Sequence, residues 1–333
     1  NNTFHYDEEI HAVYGTYGYQ WEKLSFSSGL RAEQAFTKST LVDSDSTFTN
    51  NYFALYPSTY LTYKLKKAGE LQLSYSRRVN RPGMRQLNPF PSYSDNLNLR
   101  RGNPFLLPEF VNAYEFTYSL RKKQSTFMAS VYMQDVNQVI RNYKTIDTAG
   151  VSTTSFQNLA GVSNIGLEAV VNYTINSWWT VNVSMNGYRV QSDGTNLESD
   201  LSVTAYSWSA RGMSTMKFNN GLQVQLTGFY RAPENNLQGQ MSDMYFADIA
   251  VKTAILKGKG TLTVNLRDVF DTRQFSFYSF GPGFEQNSMR KRESRNLFVT
   301  FAYRFGKLEA GKERRERGAA GGEGFDGGGM EID

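Results

Sequence analysis

Four residues near the start of the chain, His5, Asp7, Glu9 and His11, belong to types that ligate metals or carry protons, and they recur at every second position. In an extended strand that period puts all four on one face. Same-face neighbours then stand about 6–7 Å apart, too far for a single ion to gather them as ligands. The other side of the same stretch reads Phe4, Tyr6, Ile10 and Ala12, so the polar row is expected on the hydrophilic inner wall of a strand, with no metal site. Only two histidines occur in the chain. No GxSxG, P-loop or HExxH pattern is present. Cysteine is absent, which excludes disulfides and thiolate metal sites. No catalytic residue and no cofactor is assigned, and an enzyme is not expected.

The composition limits the alternatives. The 333 residues are 40% hydrophobic and 14% aromatic, with 21 Tyr and 23 Phe. The mean hydropathy is −0.51, and no run approaches the ~18 apolar residues of a spanning helix. A helical membrane protein is excluded. A β-barrel is not, because only alternate residues of its strands face lipid. The net charge of +5 is dispersed, and the one dense cluster, from Lys312 to Arg317, also holds Glu313 and Glu316. Nucleic acid is therefore not an expected partner.

The elements that must position the polar residues are strands, since the dominant period is two. Leu297, Val299, Phe301, Tyr303 and Phe305 share one face, and Asn296, Thr300, Ala302 and Arg304 the other. Ile165, Leu167, Ala169, Val171, Tyr173 and Ile175 likewise oppose Asn164, Glu168, Asn172 and Thr174. Short turns, as at 19–22, 66–69, 121–124, 176–178, 219–221 and 257–260, alternate with long polar connections near 39–50, 84–108, 144–153, 191–201, 233–241 and 273–291. Long loops at one end and short turns at the other are the habit of outer-membrane barrels. Aromatic residues such as Tyr63, Tyr118, Trp178 and Trp179 gather towards strand ends, where an interfacial girdle would lie. The expectation is an all-β, transmembrane antiparallel barrel of about 13 strands over 1–306, followed by a flexible, charged, Gly-rich periplasmic tail over 307–333. Single-chain bacterial barrels close with an even strand number, so further strands and an export signal are expected before Asn1.

The runs YSRRVNRPGMRQLNPF (75–90) and RRGNPFLLPEFVNAYEFTY (100–118) resemble the TonB-dependent-receptor-like outer-membrane barrels abundant in Bacteroidetes. GLRAE (29–33), LYPSTYLTYKL (55–65), NLRDVFD (265–271) and FAYRFGK (301–307) extend the likeness over roughly 4–307. The resemblance implies a 22-stranded barrel occluded by an N-terminal plug, with a TonB box that couples the plug to the proton-motive force. Neither plug nor TonB box is in this sequence.

Candidate functional residues follow from this frame. In the proline-rich 84–108 segment, Arg85, Asn88, Phe90, Arg100, Arg101 and Asn103 are candidate extracellular contacts, with a rigid self-packed cap as the plainer reading. Arg31, Glu33, Glu115, Glu168 and Arg267 are expected on the inner wall, where a plug could meet them. Val299, Phe301, Tyr303 and Phe305 resemble the terminal signal read by the barrel-assembly machinery. Expected partners are outer-membrane lipid and lipopolysaccharide, that machinery, and TonB or a periplasmic or surface lipoprotein. The leading function is uptake of a nutrient ligand through a plugged barrel. The alternative is a non-transporting barrel that serves as a structural or assembly subunit, docking a partner through its tail. A passive porin is disfavoured by bulky inward residues such as Tyr56, Tyr60, Tyr132 and Phe229.

Overall fold

The computed structural model describes residues 3–42, 46–66, 69–92 and 95–305; the predicted tail at 307–333 lies outside them. Twenty strands form: β1 (Phe4–Gln20), β2 (Leu24–Leu41), β3 (Ser46–Leu65), β4 (Gly69–Asn80), β5 (Asn98–Arg100), β6 (Glu109–Lys122), β7 (Ser125–Asn137), β8 (Ile140–Ile146), β9 (Ser152–Asn158), β10 (Gly161–Thr174), β11 (Trp179–Asp193), β12 (Ser202–Lys217), β13 (Gln223–Arg231), β14 (Glu234–Asn236), β15 (Gly239–Met241), β16 (Met244–Ile255), β17 (Gly260–Leu266), β18 (Phe275–Gly281), β19 (Phe284–Arg290) and β20 (Leu297–Tyr303). A short α-helix, α1 (Met84–Leu87), follows β4. Thirteen strands make one antiparallel meander in the order β1-β2-β3-β4-β6-β7-β10-β11-β12-β13-β16-β17-β20.

The two faces of this sheet are told apart by burial and register. On β3, Phe53 is 63% exposed and Leu55 45%, whereas Ala54 and Tyr56 are each 8% exposed. Paired residues of an antiparallel ladder share a face, so Glu33, opposite Ala54, and Arg31, opposite Tyr56, lie on the inner side. Val131, Leu167, Met185, Tyr206, Trp208, Val299 and Phe301 are exposed, while Glu33, Ser130, Ser207 and Thr227 are buried. A sheet in water would bury the opposite set. This one presents a continuous apolar surface outward, which is stable only against hydrocarbon.

The meander places the turns after β1, β3, β6, β10, β12 and β16 at one end and the connections after β2, β4, β7, β11, β13 and β17, most of them long, at the other. Near the short-turn end, Trp178 stacks on Trp179 at 5.8 Å and on Phe218 at 5.9 Å between ring centroids, and Tyr19 meets Trp21 at 4.5 Å. These amphipathic rings suit an interfacial collar.

At the opposite end the long connections are built, not loose. The expected loop at 144–153 is the turn region of a β8–β9 hairpin, and β5 adds to it in parallel beside β9. Those at 233–241 and 273–291 contain β14, β15, β18 and β19, which assemble a second small sheet. The described part of the long loop expected at 39–50 is strand instead, because β2 and β3 stay paired up to Leu41 opposite Ser46. The polar sequence there reflects height, not irregularity: β1, β2 and β3 have 17, 18 and 20 residues, about twice the ~9–11 that cross a bilayer. Their upper halves therefore stand in water.

That height also reverses the expectation for the first strand. His5, Asp7, Glu9 and His11 pair with Thr40, Lys38, Phe36 and Gln34, on the outer face shared with Phe53. They form an outward polar row above the lipid band, and Glu9 accepts from His11 Nε2 at 2.8 Å. Phe4 and Tyr6 turn inward, packing on the buried cluster of Leu87, Leu106 and Ile140 that the long connections supply.

Candidate functional site: the inner wall and its loop cover

The inner wall near β1–β3 is tied to the segment after β4 by one guanidinium. Arg81 donates from Nη2 to Glu33 Oε2 and from Nε to the Tyr52 hydroxyl at 2.8 Å, and stands 3.2 Å from Glu8 Oε1. Arg31 completes the set from the other side of Glu33. Burial works against the charge on Arg81, but hydrogen bonding to Glu33 and the surrounding negative charge outweigh it and raise its pKa further. A carboxylate that is 5% exposed is thus matched by two arginines, as a buried charge requires.

Arg81 introduces the proline-rich segment, which is self-structured. Asn88 Oδ1 accepts from the Phe90 amide at 3.0 Å, and Asn103 Oδ1 from the Phe105 amide at 3.0 Å. Asn103 Nδ2 donates to the Phe156 carbonyl at 3.0 Å, fastening the segment to β9. Gly102 is squeezed between backbones: a Cβ there would lie 2.5 Å from the Asn88 carbonyl oxygen and 2.6 Å from that of Gln86. Of the candidate contacts, Asn88 and Asn103 are therefore spent on internal bonds and Phe90 is half-buried, while Arg85, Arg100 and Arg101 remain exposed.

Further along the wall, Glu115 and Glu168 fall on the inner face, opposite Tyr132 and Ser130 respectively. Tyr132 lies across Gly166 and donates to Asn186 Oδ1 at 3.0 Å. Tyr188 donates to Glu234 of β14, linking the wall to the loop cover. Tyr56, Tyr60, Tyr132 and Phe229 all take inner-face positions. Arg267 is also inward, beyond Asn265 on β17, its guanidinium 4.9 Å from the Phe298 ring. The register thus brings all five predicted wall residues to one surface. It disperses them along that surface, and only Arg31 and Glu33 touch.

Sequence reasoning did not single out Asp268, although the NLRDVFD run contains it. It is 1% exposed. Its carboxylate accepts from the amides of Thr272 at 3.0 Å and Arg273 at 2.9 Å and from the Ser294 hydroxyl, while its own amide donates to Asp248 Oδ1 at 2.8 Å. Burial alone would push this carboxyl up; the hydrogen bonds from Ser294, Arg273 and Thr272 outweigh it and hold it below the usual carboxylate range. Asp268 is the knot from which the β18–β19 hairpin departs. Val299, Phe301 and Tyr303 line the outer face of β20, which among the described residues pairs with β17 alone, and Phe305 follows exposed.

Solved structures share this architecture. The copper transporter OprC superposes with a TM-score of 0.66 at 14% identity, over 89% of this chain and 47% of that one. The ferric yersiniabactin uptake receptor FyuA of Yersinia pestis gives 0.61 at 11% identity, over 90% and 46%. The ferric-catecholate import receptor Fiu of E. coli K12 gives 0.61 at 14%, over 90% and 45%. At such identities the likeness is one of fold, and the chain spans about half the length of the structures it matches. A search of curated proteins gives no match. The model of the outer membrane protein beta-barrel family matches residues 1–303, and with its inverted sheet and one-ended loops this chain belongs to that family.

Proposed function

We propose that the chain forms the C-terminal wall of a TonB-dependent-receptor-like transporter, which takes up a nutrient ligand from outside the cell through a lumen filled by a separate plug. The observation that carries this reading is the inner wall itself: a broad polar surface with charged groups, roofed by long connections that hydrogen-bond to one another and to the wall. The long connections face the exterior and the short turns the periplasm. The transporter names among the solved structures support the same reading.

Disruption of the gene tests it. Uptake of a panel of ferric siderophores, glycans and peptides is compared with the intact strain, with and without a protonophore. The proposal expects loss of uptake for one class, reproduced by the protonophore. Unchanged uptake throughout, with loss of a co-purifying outer-membrane protein when 308–333 are deleted, would instead establish the structural-subunit reading.

A further inference from the structure

On the inner wall of β12–β17 a cavity of about 260 Å³ is lined by Arg211, Gln225, Asp248, Asn265, Arg267 and Arg273, among others. The three arginines are exposed, and none makes an ion pair among the described residues. At the β2 side of the same wall Glu33 is matched by Arg31 and Arg81. Here three cations face a single carboxylate, Asp248, one oxygen of which already accepts the Asp268 amide. Two of the guanidiniums are steadied by rings, Arg267 over Phe298 at 4.9 Å and Arg273 over Phe246 at 3.8 Å from the centroid. Aromatic stacking fixes the plane of a guanidinium and leaves its N–H edge free to donate. Asn265 Oδ1 is buried there without a hydrogen-bond partner, an acceptor that calls for a donor from the occupant.

Resting on the reading that this wall faces a lumen, we infer that the cavity is a binding site for a multiply charged oxyanion, carboxylate or phosphate, that also carries a hydroxyl. The guanidinium edges take the anionic oxygens, as planar forks do best, and the hydroxyl donates to Asn265 Oδ1. Such chemistry could arrive on a dissolved ligand or on the acidic side chains of a protein segment lying in the lumen. The surplus of positive charge and the small volume favour the dissolved ligand.

The chain has no cysteine, so Gln225→Cys gives a single thiol on this wall of the full protein. Its labelling rate is measured with methanethiosulfonates bearing a sulfonate or a trimethylammonium, alone and with inorganic phosphate or malate. The sulfonate reagent should react faster by about tenfold or more, since a concave charged site concentrates counter-ions. Phosphate or malate should slow it, and Arg211→Gln with Arg267→Gln should abolish both effects. A Ser74→Cys control, on the inner face of β4, should show no such preference. Equal rates at Gln225→Cys overturn the site. A sulfonate preference without protection by either anion also overturns it, and assigns the arginines to an acidic protein segment. Because labelling needs no transport, an uptake assay that fails leaves this result standing, and the reverse.

Discussion

Arg81 reaches Glu33 across 48 residues of chain, joining the segment that roofs the lumen to a carboxylate deep in the β2 wall. The contact is local electrostatics with a long lever. It sets where the first proline-rich turn begins and, through it, where Leu87 and Leu106 meet Phe4 and Tyr6.

Removing one partner should free that lever. Glu33→Ala leaves Arg81 held by its Tyr52 and Glu8 contacts alone and removes its charged hydrogen bond to Glu33, at a cost of about 1.5–3 kcal/mol. Cleavage of the 81–108 segment by trypsin in the folded protein should accelerate. The Glu33→Ala, Arg81→Ala double variant should lose less than the sum of the two singles, measured by unfolding in urea.

Asp268 predicts a dependence on acid. Its folded pKa lies below the ordinary value of 3.8, so its contribution is complete above that value and is lost as pH falls through the folded one. Amide exchange at Thr272 and Arg273, followed by mass spectrometry, should be protected near neutrality beyond the trend of intrinsic exchange and lose that excess below about pH 3.8. Asp268→Ala should remove the excess at every pH.

Gly166 is demanded by a neighbour. A Cβ there would stand 2.4 Å from the Tyr132 ring, so Gly166→Ala must displace the phenol from Asn186. A loss of about 1–3 kcal/mol in unfolding free energy is expected. Part of it should vanish in a Tyr132→Ala background, where the ring is gone but the Gly187 carbonyl oxygen, 2.9 Å from the same Cβ, remains.

The last strand separates its two faces. Val299→Arg puts a charge on the lipid side of β20 and should lower the heat-modifiable folded fraction in the outer membrane, at about 2–4 kcal/mol near the midplane. Thr300→Arg, one residue on and facing inward, should fold at near wild-type levels.

Much of this was readable in the residues, because a spanning strand advertises its two faces every second position. The Ile165–Tyr173 and Leu297–Phe305 alternations carry both the strand and its outward side. The first strand shows where that logic ends. His5 to His11 and Phe4 to Ala12 alternate as clearly, but parity alone does not say which side is inside. Above the lipid band the outside is water, and the apolar side is claimed by Leu87, Leu106 and Ile140, which lie far along the chain. Asp268, Arg81 and Gly102 stood within motifs that were visible, yet their roles depend on Ser294, Glu33 and Asn88, partners that only folding brings near. The length of β2 and β3 escaped for the same reason: polar residues on strands raised into water look like a loop.

The central claim, a sheet whose apolar face meets hydrocarbon, is tested most directly by spin labels placed one at a time at Ile165, Leu167 and Ala169, and at Asn164, Glu168 and Val170, in the full protein reconstituted in liposomes. Collision with oxygen, which concentrates in lipid, should dominate at the first three, and collision with a water-soluble nickel chelate should be greater at the second three. Equal access of the nickel chelate to both sets would contradict the account.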